Sequence, residues 1–269
     1  MVRVSIVSSL TSTVKEAVDL AEFKMNDSYD LVAIKPNLCA PVPYYTGATT
    51  NPKIVEEIIR LFQDRAKEIV IIESSGYVAA AEESFEKSGM KTTCDYYGVK
   101  LVNLSTDAKV PLKRDFRVLK NFACPRTFLK ADLIVNVPVM KTHSLTTVSL
   151  GMKNMFGIVG ERKNSYHNKL SDTICDVLSI RKPELNIMDA TIGMEGEGPL
   201  HGRPKRMNLI LASTDIVALD ITACKVMKIN PAQVEHIQKA AYYGLGEANE
   251  GKIEVVGELI QNVWEKFIT

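Results

Sequence analysis

The chain has 269 residues, 46% of them hydrophobic and 24% charged. That balance is ordinary for a globular protein and excludes a disordered, collagenous or coiled-coil chain. Its 33 Lys and Arg residues against 32 Asp and Glu give a formal net charge of +1, so no global basic field draws it to nucleic acid or to a membrane surface.

Short β-branched runs alternate with amphipathic segments along the chain. Val2–Ser8 reads as a strand, and its apolar run is too short for a signal peptide. Thr13–Met25 reads as a helix, with Val14, Ala17, Val18 and Ala21 at three- and four-residue steps. Leu31–Ile34 is a predicted strand and Pro52–Ala66 a predicted helix. Glu68–Glu73 contains the run Ile69-Val-Ile-Ile, the signature of a strand buried on both faces. Ala79–Ser88 follows as a helix, with Lys100–Leu104 and Leu133–Val137 as strands. Leu170–Ile180, Asp215–Met227 and Ala232–Tyr242 read as helices, and Leu185–Met188, Met207–Ala212 and Ile253–Val256 as strands.

This alternation predicts an α/β fold: a largely parallel sheet flanked by helices, with a cleft at the strand carboxyl ends. We expect one α/β domain over 1–269, with the irregular stretch 106–126 as the place where two intimate lobes would join. No run of about 18 apolar residues occurs, so no membrane-spanning helix is expected. The five cysteines, Cys39, Cys94, Cys124, Cys175 and Cys224, are odd in number and never in C-x-x-C spacing. Reduced thiols in a cytoplasmic protein are expected, with no iron–sulfur cluster and no structural zinc site within the chain.

Five segments could carry chemistry. Lys35-Pro36-Asn37 lies at a strand end, and Asn51-Pro52 then opens a helix as cap and first-turn residue. Glu73-Ser74-Ser75-Gly76 lies at another strand end, where the hydroxyls serve a ligand or cap the next helix. The third segment is the richest. Residues 141–169 carry Lys141, Lys153, Arg162, Lys163 and Lys169 against Glu161, an excess of four positive charges in a protein of net charge +1. His143, Asn154, His167 and the glycines 151, 157 and 160 are interleaved with them. Lysines supply point charges for phosphate or carboxylate, and histidines supply proton transfer or metal ligation near neutral pH. The stretch 140–168 is too long for an ordinary connection, which points to function.

The fourth segment runs from a strand end at Asp189 through the Gly-rich acidic turn Gly193–Gly202, which contains Glu195. Carboxylates in that position suit a hard cation or a general base. In the fifth, Ser213 or Thr214 caps a helix, Asp215 favours the positive end of its dipole, and Asp220 requires a buried partner. His236 reads as a structural or surface histidine.

Taken together, Lys35-Pro-Asn, Thr50-Asn-Pro, Pro138-x-x-Lys141-Thr-His143, Gly151-Met-Lys-Asn-Met-Phe-Gly157, Asp189…Gly193-Met-Glu-Gly-x-Gly-Pro199 and Thr214-Asp-x-x-Ala-Leu-Asp220 resemble the domain-of-unknown-function 362 family. The resemblance spans most of the chain and implies a prokaryotic protein with no assigned general reaction. Many members of that family carry appended ferredoxin-type cysteine motifs, and this chain has none. A remoter likeness is to the nickel-dependent lactate racemase superfamily. There a Pro-His segment, a cofactor-bearing lysine and a later histidine hold a nickel pincer nucleotide. His143, Lys153 or Lys163, and His167 fall in a similar order, and the likeness implies a cleft for an anionic or nucleotide-like ligand.

The expectation is therefore a small ligand bearing phosphate or carboxylate, held in a cleft walled by loop 141–167. Lys35, Asn37, Lys141, Lys153, Asn154 and Lys163 are the binding candidates. His143, His167 and Glu195 are the acid–base candidates, and Asp189 is the candidate ligand for a divalent metal. The rival is a non-catalytic carrier of a cofactor or metal. Neither a nucleic acid nor a membrane is an expected partner, and a homodimer is the oligomer that base rates favour.

Overall fold

The computed structural model describes every residue except Tyr77, and every side chain except those of residues 161, 162 and 164 as well. Two of the charges of the basic segment, Glu161 and Arg162, thus lie outside the described side chains. The strands are β1 (Val2–Ser8), β2 (Tyr29–Pro36), β3 (Ala66–Glu73), β4 (Lys100–Asn103), β5 (Lys109–Pro111), β6 (Ala123–Pro125), β7 (Leu133–Val137), β8 (Val139–His143), β9 (Thr147–Ser149), β10 (Leu185–Glu195), β11 (Arg203–Ser213) and β12 (Ile253–Gly257). The main sheet runs β12-β1-β11-β10-β7-β2-β3-β4, with β8 beside β10 and β9 beside β8. β2, β3, β4, β7, β8 and β10 pair in parallel, and β11 runs antiparallel between β1 and β10.

The helices are α1 (Val14–Leu20), α2 (Pro52–Phe62), α3 (Ala81–Lys87), α4 (Met90–Tyr97), α5 (Arg126–Lys130), α6 (Gly151–Met155), α7 (Leu170–Ile180), α8 (Ile216–Val226), α9 (Glu235–Tyr242) and α10 (Ile260–Val263). They cover both faces of the sheet, and successive strand residues divide between two cores. Val32, Ile34, Ile69 and Ile71 pack with Val18 of α1, Ile58 of α2 and Phe85 of α3. Ala33, Val70 and Ile72 pack instead with Ile174 of α7, Leu219 of α8 and Ile237 of α9. Strands buried on both faces explain why these runs read as continuous apolar stretches. The α/β class and the largely parallel sheet are as expected.

Several boundaries differ from expectation, each for a physical reason. The first helix stops at Leu20 because Glu22 takes φ 55°, and α2 stops at Phe62 because Ala66 already pairs in β3. The strand expected to end at Asp189 continues to Glu195, paired with β11 across an irregularity between Ala190 and Ile192. Within 106–126, β5 and β6 form an antiparallel ladder. The stretch 140–168 is built rather than irregular. β8 and β9 form a hairpin, α6 follows, and 3-10 turns over Phe156–Lys169 lead into α7. The turns kink at Gly160, whose φ of 75° suits glycine.

Candidate functional site

The parallel register sets Lys35 at the end of β2, beside Asn136 of β7, and Glu73 at the end of the adjoining β3. Their side chains meet beyond the sheet. Lys35 Nζ lies 2.8 Å from Glu73 Oε2, with side-chain exposures of 1% and 6%. The same ammonium donates to the Pro36 carbonyl at 3.1 Å and to Asn154 Oδ1 at 3.4 Å. Glu73 also accepts from the backbone N–H groups of Leu38 and Ser74. Burial alone would raise the Glu73 carboxyl, but the charges of Lys35 and Lys163 prevail and hold it below its ordinary value. The chain can pass this pair closely because residue 157 is glycine. A Cβ there would stand 2.8 Å from Lys35 Cε.

Asn154 ties this pair to the interior. Its amide nitrogen donates to the Lys35 carbonyl at 3.2 Å and to Asn136 Oδ1 at 2.8 Å. Asn136 in turn donates to Asn186 Oδ1 and to the Gly151 carbonyl. Helix α6, which carries Lys153 and Asn154, has no side-chain cap of its own. The buried carboxylate of Asp220 on α8 does that work, accepting from Gly151 N at 2.7 Å and Met152 N at 2.9 Å.

These elements wall a cavity of about 540 Å³ at the strand carboxyl ends. Lys35, Asn37, Lys141, His143, Lys153, Asn154, Lys163 and His167 all line it, as do Glu73, Cys39 and Phe156. Eight of the candidate residues thus converge, and four of them are lysines. Their amines are not equivalent. Lys35 is committed to Glu73. Lys141 Nζ is surrounded by the Ala48 carbonyl at 2.6 Å, Asn37 Oδ1 at 3.2 Å, Cys39 Sγ at 3.2 Å and the Pro199 carbonyl at 3.4 Å. It pins the 37–48 loop to the turn after β10. Lys163 donates to the Ser75 carbonyl at 3.1 Å. Among the described residues Lys153 has no carboxylate partner, and its Nζ lies 4.7 Å from the centre of the Phe156 ring. Burial, then the like charges of Lys163, Lys141 and Lys35, bring its pKa down to about 7. Burial likewise lowers Lys163.

His143 is pushed down to about 3 by burial and by the charges of Lys153 and Lys141. Its Nδ1 accepts from Leu145 N at 3.1 Å, so the neutral ring carries its proton on Nε2. His167 is lowered by burial and by Lys153. Both rings are therefore neutral at physiological pH.

Among the described lining residues neither Glu195 nor Asp189 is found. Glu195 pairs with Lys205 at 3.2 Å and Arg203 at 3.7 Å. Asp189 accepts from Asn51 N at 2.7 Å, Thr191 N at 3.0 Å and Thr191 Oγ1 at 2.6 Å, which anchors the start of α2 to β10. Among the described residues no group of three or more His, Cys, Asp or Glu side chains converges as metal ligands. The amine-rich cavity does not fit the expected divalent metal.

Other expectations resolve locally. Asn51 caps α2 by accepting from Lys53 N. Ser74 donates to the Gly157 carbonyl at 2.6 Å instead of capping a helix, while Ser75 Oγ accepts from Ala81 N at the start of α3. Asp215 is itself the cap of α8, accepting from Val217 N and Ala218 N. Glu73 pairing with Lys35 and Asp220 capping α6 are contacts that spacing alone did not reveal.

His236 on α9 is fully buried, and among the described residues neither of its ring nitrogens has a hydrogen-bond partner. Burial lowers it to about 3. Its folded pKa is below the ordinary 6.5, so its contribution is complete above pH 6.5 and is lost as pH falls towards 3. His236→Phe is therefore expected to flatten the acid limb of stability between pH 7 and pH 5. At pH 7 it should be neutral or stabilising by up to about 1 kcal/mol, because two buried unpaired nitrogens disappear. Urea unfolding at both pH values checks this. Equal slopes for variant and parent would refute it.

The family described as Domain of unknown function (DUF362) matches residues 32–225. A curated relative, the thylakoid-associated protein sll1697 of Synechocystis sp., is 25% identical over 224 residues, covering 80% of this chain and 68% of its own length. The lactate racemase apoprotein from Thermoanaerobacterium thermosaccharolyticum superposes with a TM-score of 0.54 at 14% identity. That match covers 84% of this chain but 57% of the racemase chain, and it shows a shared fold alone. No helix among the described residues is long and apolar enough to cross a membrane.

Proposed function

The chain belongs to the DUF362 family, and we propose that it binds a small phosphate- or carboxylate-bearing ligand in the cavity walled by residues 141–167. The observation that carries this reading is the Lys153 amine, which lines a cavity of about 540 Å³ beside Lys163 with no carboxylate among the described residues to neutralise it. An anion placed there would supply the charge that the protein withholds. Lys35 and Lys141 shape the cavity, Lys153 and Lys163 hold the anion, and His143 offers Nε2–H as a neutral donor. His167 completes the acid–base pair if the ligand is turned over. Glu195 and Asp189 take no part. The five free thiols, four of them buried, fit a reducing compartment such as the cytoplasm.

Titration calorimetry with inorganic phosphate and with malonate tests the reading. Lys153→Ala and Lys163→Ala are each expected to weaken at least one of these anions tenfold or more. Thermal stability should stay within about 1 kcal/mol of the parent, as for changes away from the packed core. Affinity unchanged in both variants would refute it. A ligand retained through purification without turnover would make the protein a carrier rather than an enzyme.

A further inference from the structure

Anion binding uses only the charge of Lys153, yet its surroundings do more than hold charge. The amine is packed against Phe156 and faces three further lysines across one cavity. Among the described lining residues the carboxylate, Glu73, is already engaged by Lys35 and by two backbone N–H groups. An amine crowded by cations and partly withdrawn from water favours its neutral form, and a neutral amine is a nucleophile. The shift to about 7 leaves a substantial neutral fraction at physiological pH. In an ordinary lysine, near 10.4, that fraction is only about one in a thousand.

We propose that Lys153 forms a Schiff base with a small aldehyde or ketone that also carries a carboxylate or phosphate. This rests on the anion-binding reading above, since the neighbouring ammonium of Lys163 holds the charged end of the same molecule. The nitrogen lone pair attacks the carbonyl carbon and the C=O π pair moves to oxygen. A proton passes from nitrogen to that oxygen, giving a carbinolamine. Loss of the hydroxyl with one further proton releases water and leaves a carbon–nitrogen double bond. No oxidant or reductant enters. His143 lines the cavity and its Nε2–H is the donor for the departing oxygen, and the apolar side chains of Leu38 and Phe156 limit the water that would reverse the step.

Glyoxylate and pyruvate with sodium cyanoborohydride test this on the full chain, read by intact mass and peptide mapping. Hydride from the reductant converts the imine to a stable secondary amine. Lys153 is expected to be alkylated at least tenfold faster than any other lysine, and inorganic phosphate should protect it. Lys153→Arg removes the nucleophilic amine, so it should lose the adduct. If phosphate binds but adducts spread over surface lysines without preference for Lys153, the Schiff-base proposal falls and the anion-binding reading stands. If phosphate, glyoxylate and pyruvate all fail to bind and Lys153 is not preferred, both fall.

Discussion

Lys35→Met is expected to destabilise the folded chain by about 3–5 kcal/mol, the usual cost of leaving one partner of a buried ion pair uncompensated. Glu73 would remain at the end of β3 with no compensating ammonium at contact distance, in a site where its exposure is 6%. Among the described residues its remaining protein donors are the amides of Leu38 and Ser74. The same substitution removes the donor to Asn154 Oδ1, so the loss extends to α6 within the 141–167 wall. Lys35→Met combined with Glu73→Gln should recover at least about 2 kcal/mol relative to the sum of the single changes, because the two sites are in contact. A neutral amide can still accept from one of the two backbone N–H groups. Chemical denaturation of the four proteins closes the cycle. Additive single effects would mean that the pair is not coupled.

Asp220→Ala should cost about 2–4 kcal/mol, since it orphans two buried backbone donors, Gly151 N and Met152 N, each worth about 1–3 kcal/mol. It should also abolish anion binding, because α6 is the element that presents Lys153 and Asn154 to the cavity. The pH dependence gives a second signature. Burial raises the Asp220 carboxyl to about 7, against the lowering effect of the two amides. Its folded value lies above the ordinary carboxylate value, so its contribution is complete below about pH 4 and is lost as pH rises through 7. Asp220→Asn should remove that decline while keeping one acceptor for α6. A parent protein whose stability between pH 5 and pH 8 matches that of Asp220→Asn would contradict this assignment. The slope is opposite in sign to the one expected for His236, so the two groups separate in a pH series.

Much of the fold is legible in the sequence where a single force dominates. Leu133–Val137 and Leu170–Ile180 have the expected bounds, because continuous apolar runs and three-to-four-residue periodicity reflect burial directly. Helix α4 (Met90–Tyr97) is not legible from periodicity, since Met90 and Cys94 are its buried residues and its Thr-Thr pair favours strand. Gly89 and Gly98 bracket it at positive φ and were its available signal. β8 is obscured by Pro138 before it and by Lys141, a charged residue that is fully buried within the strand. Such a lysine makes sense only once the carbonyls of Ala48 and Pro199 surround it, and those come from distant segments.

The cavity was legible as a place because strand ends and a long basic segment marked it. The division of labour among its lysines was not. Spacing shows that Lys35 and Glu73 both end strands, but only the β2–β3 pairing makes them neighbours. The acidic turn misled for a related reason. Strand β10 extends past Asp189 and carries Glu195 to Lys205 and Arg203, while the donors that engage Asp189 sit on Asn51 and Thr191.

Crystals soaked in selenate, a tetrahedral dianion visible by its anomalous signal, bear most directly on whether this cavity is an anion site. Selenium density is expected within hydrogen-bonding distance of both Lys153 Nζ and Lys163 Nζ, and it should be absent from crystals of Lys153→Ala soaked in the same way. Selenate bound only at the surface, with the cavity amines unengaged in the parent protein, would contradict it.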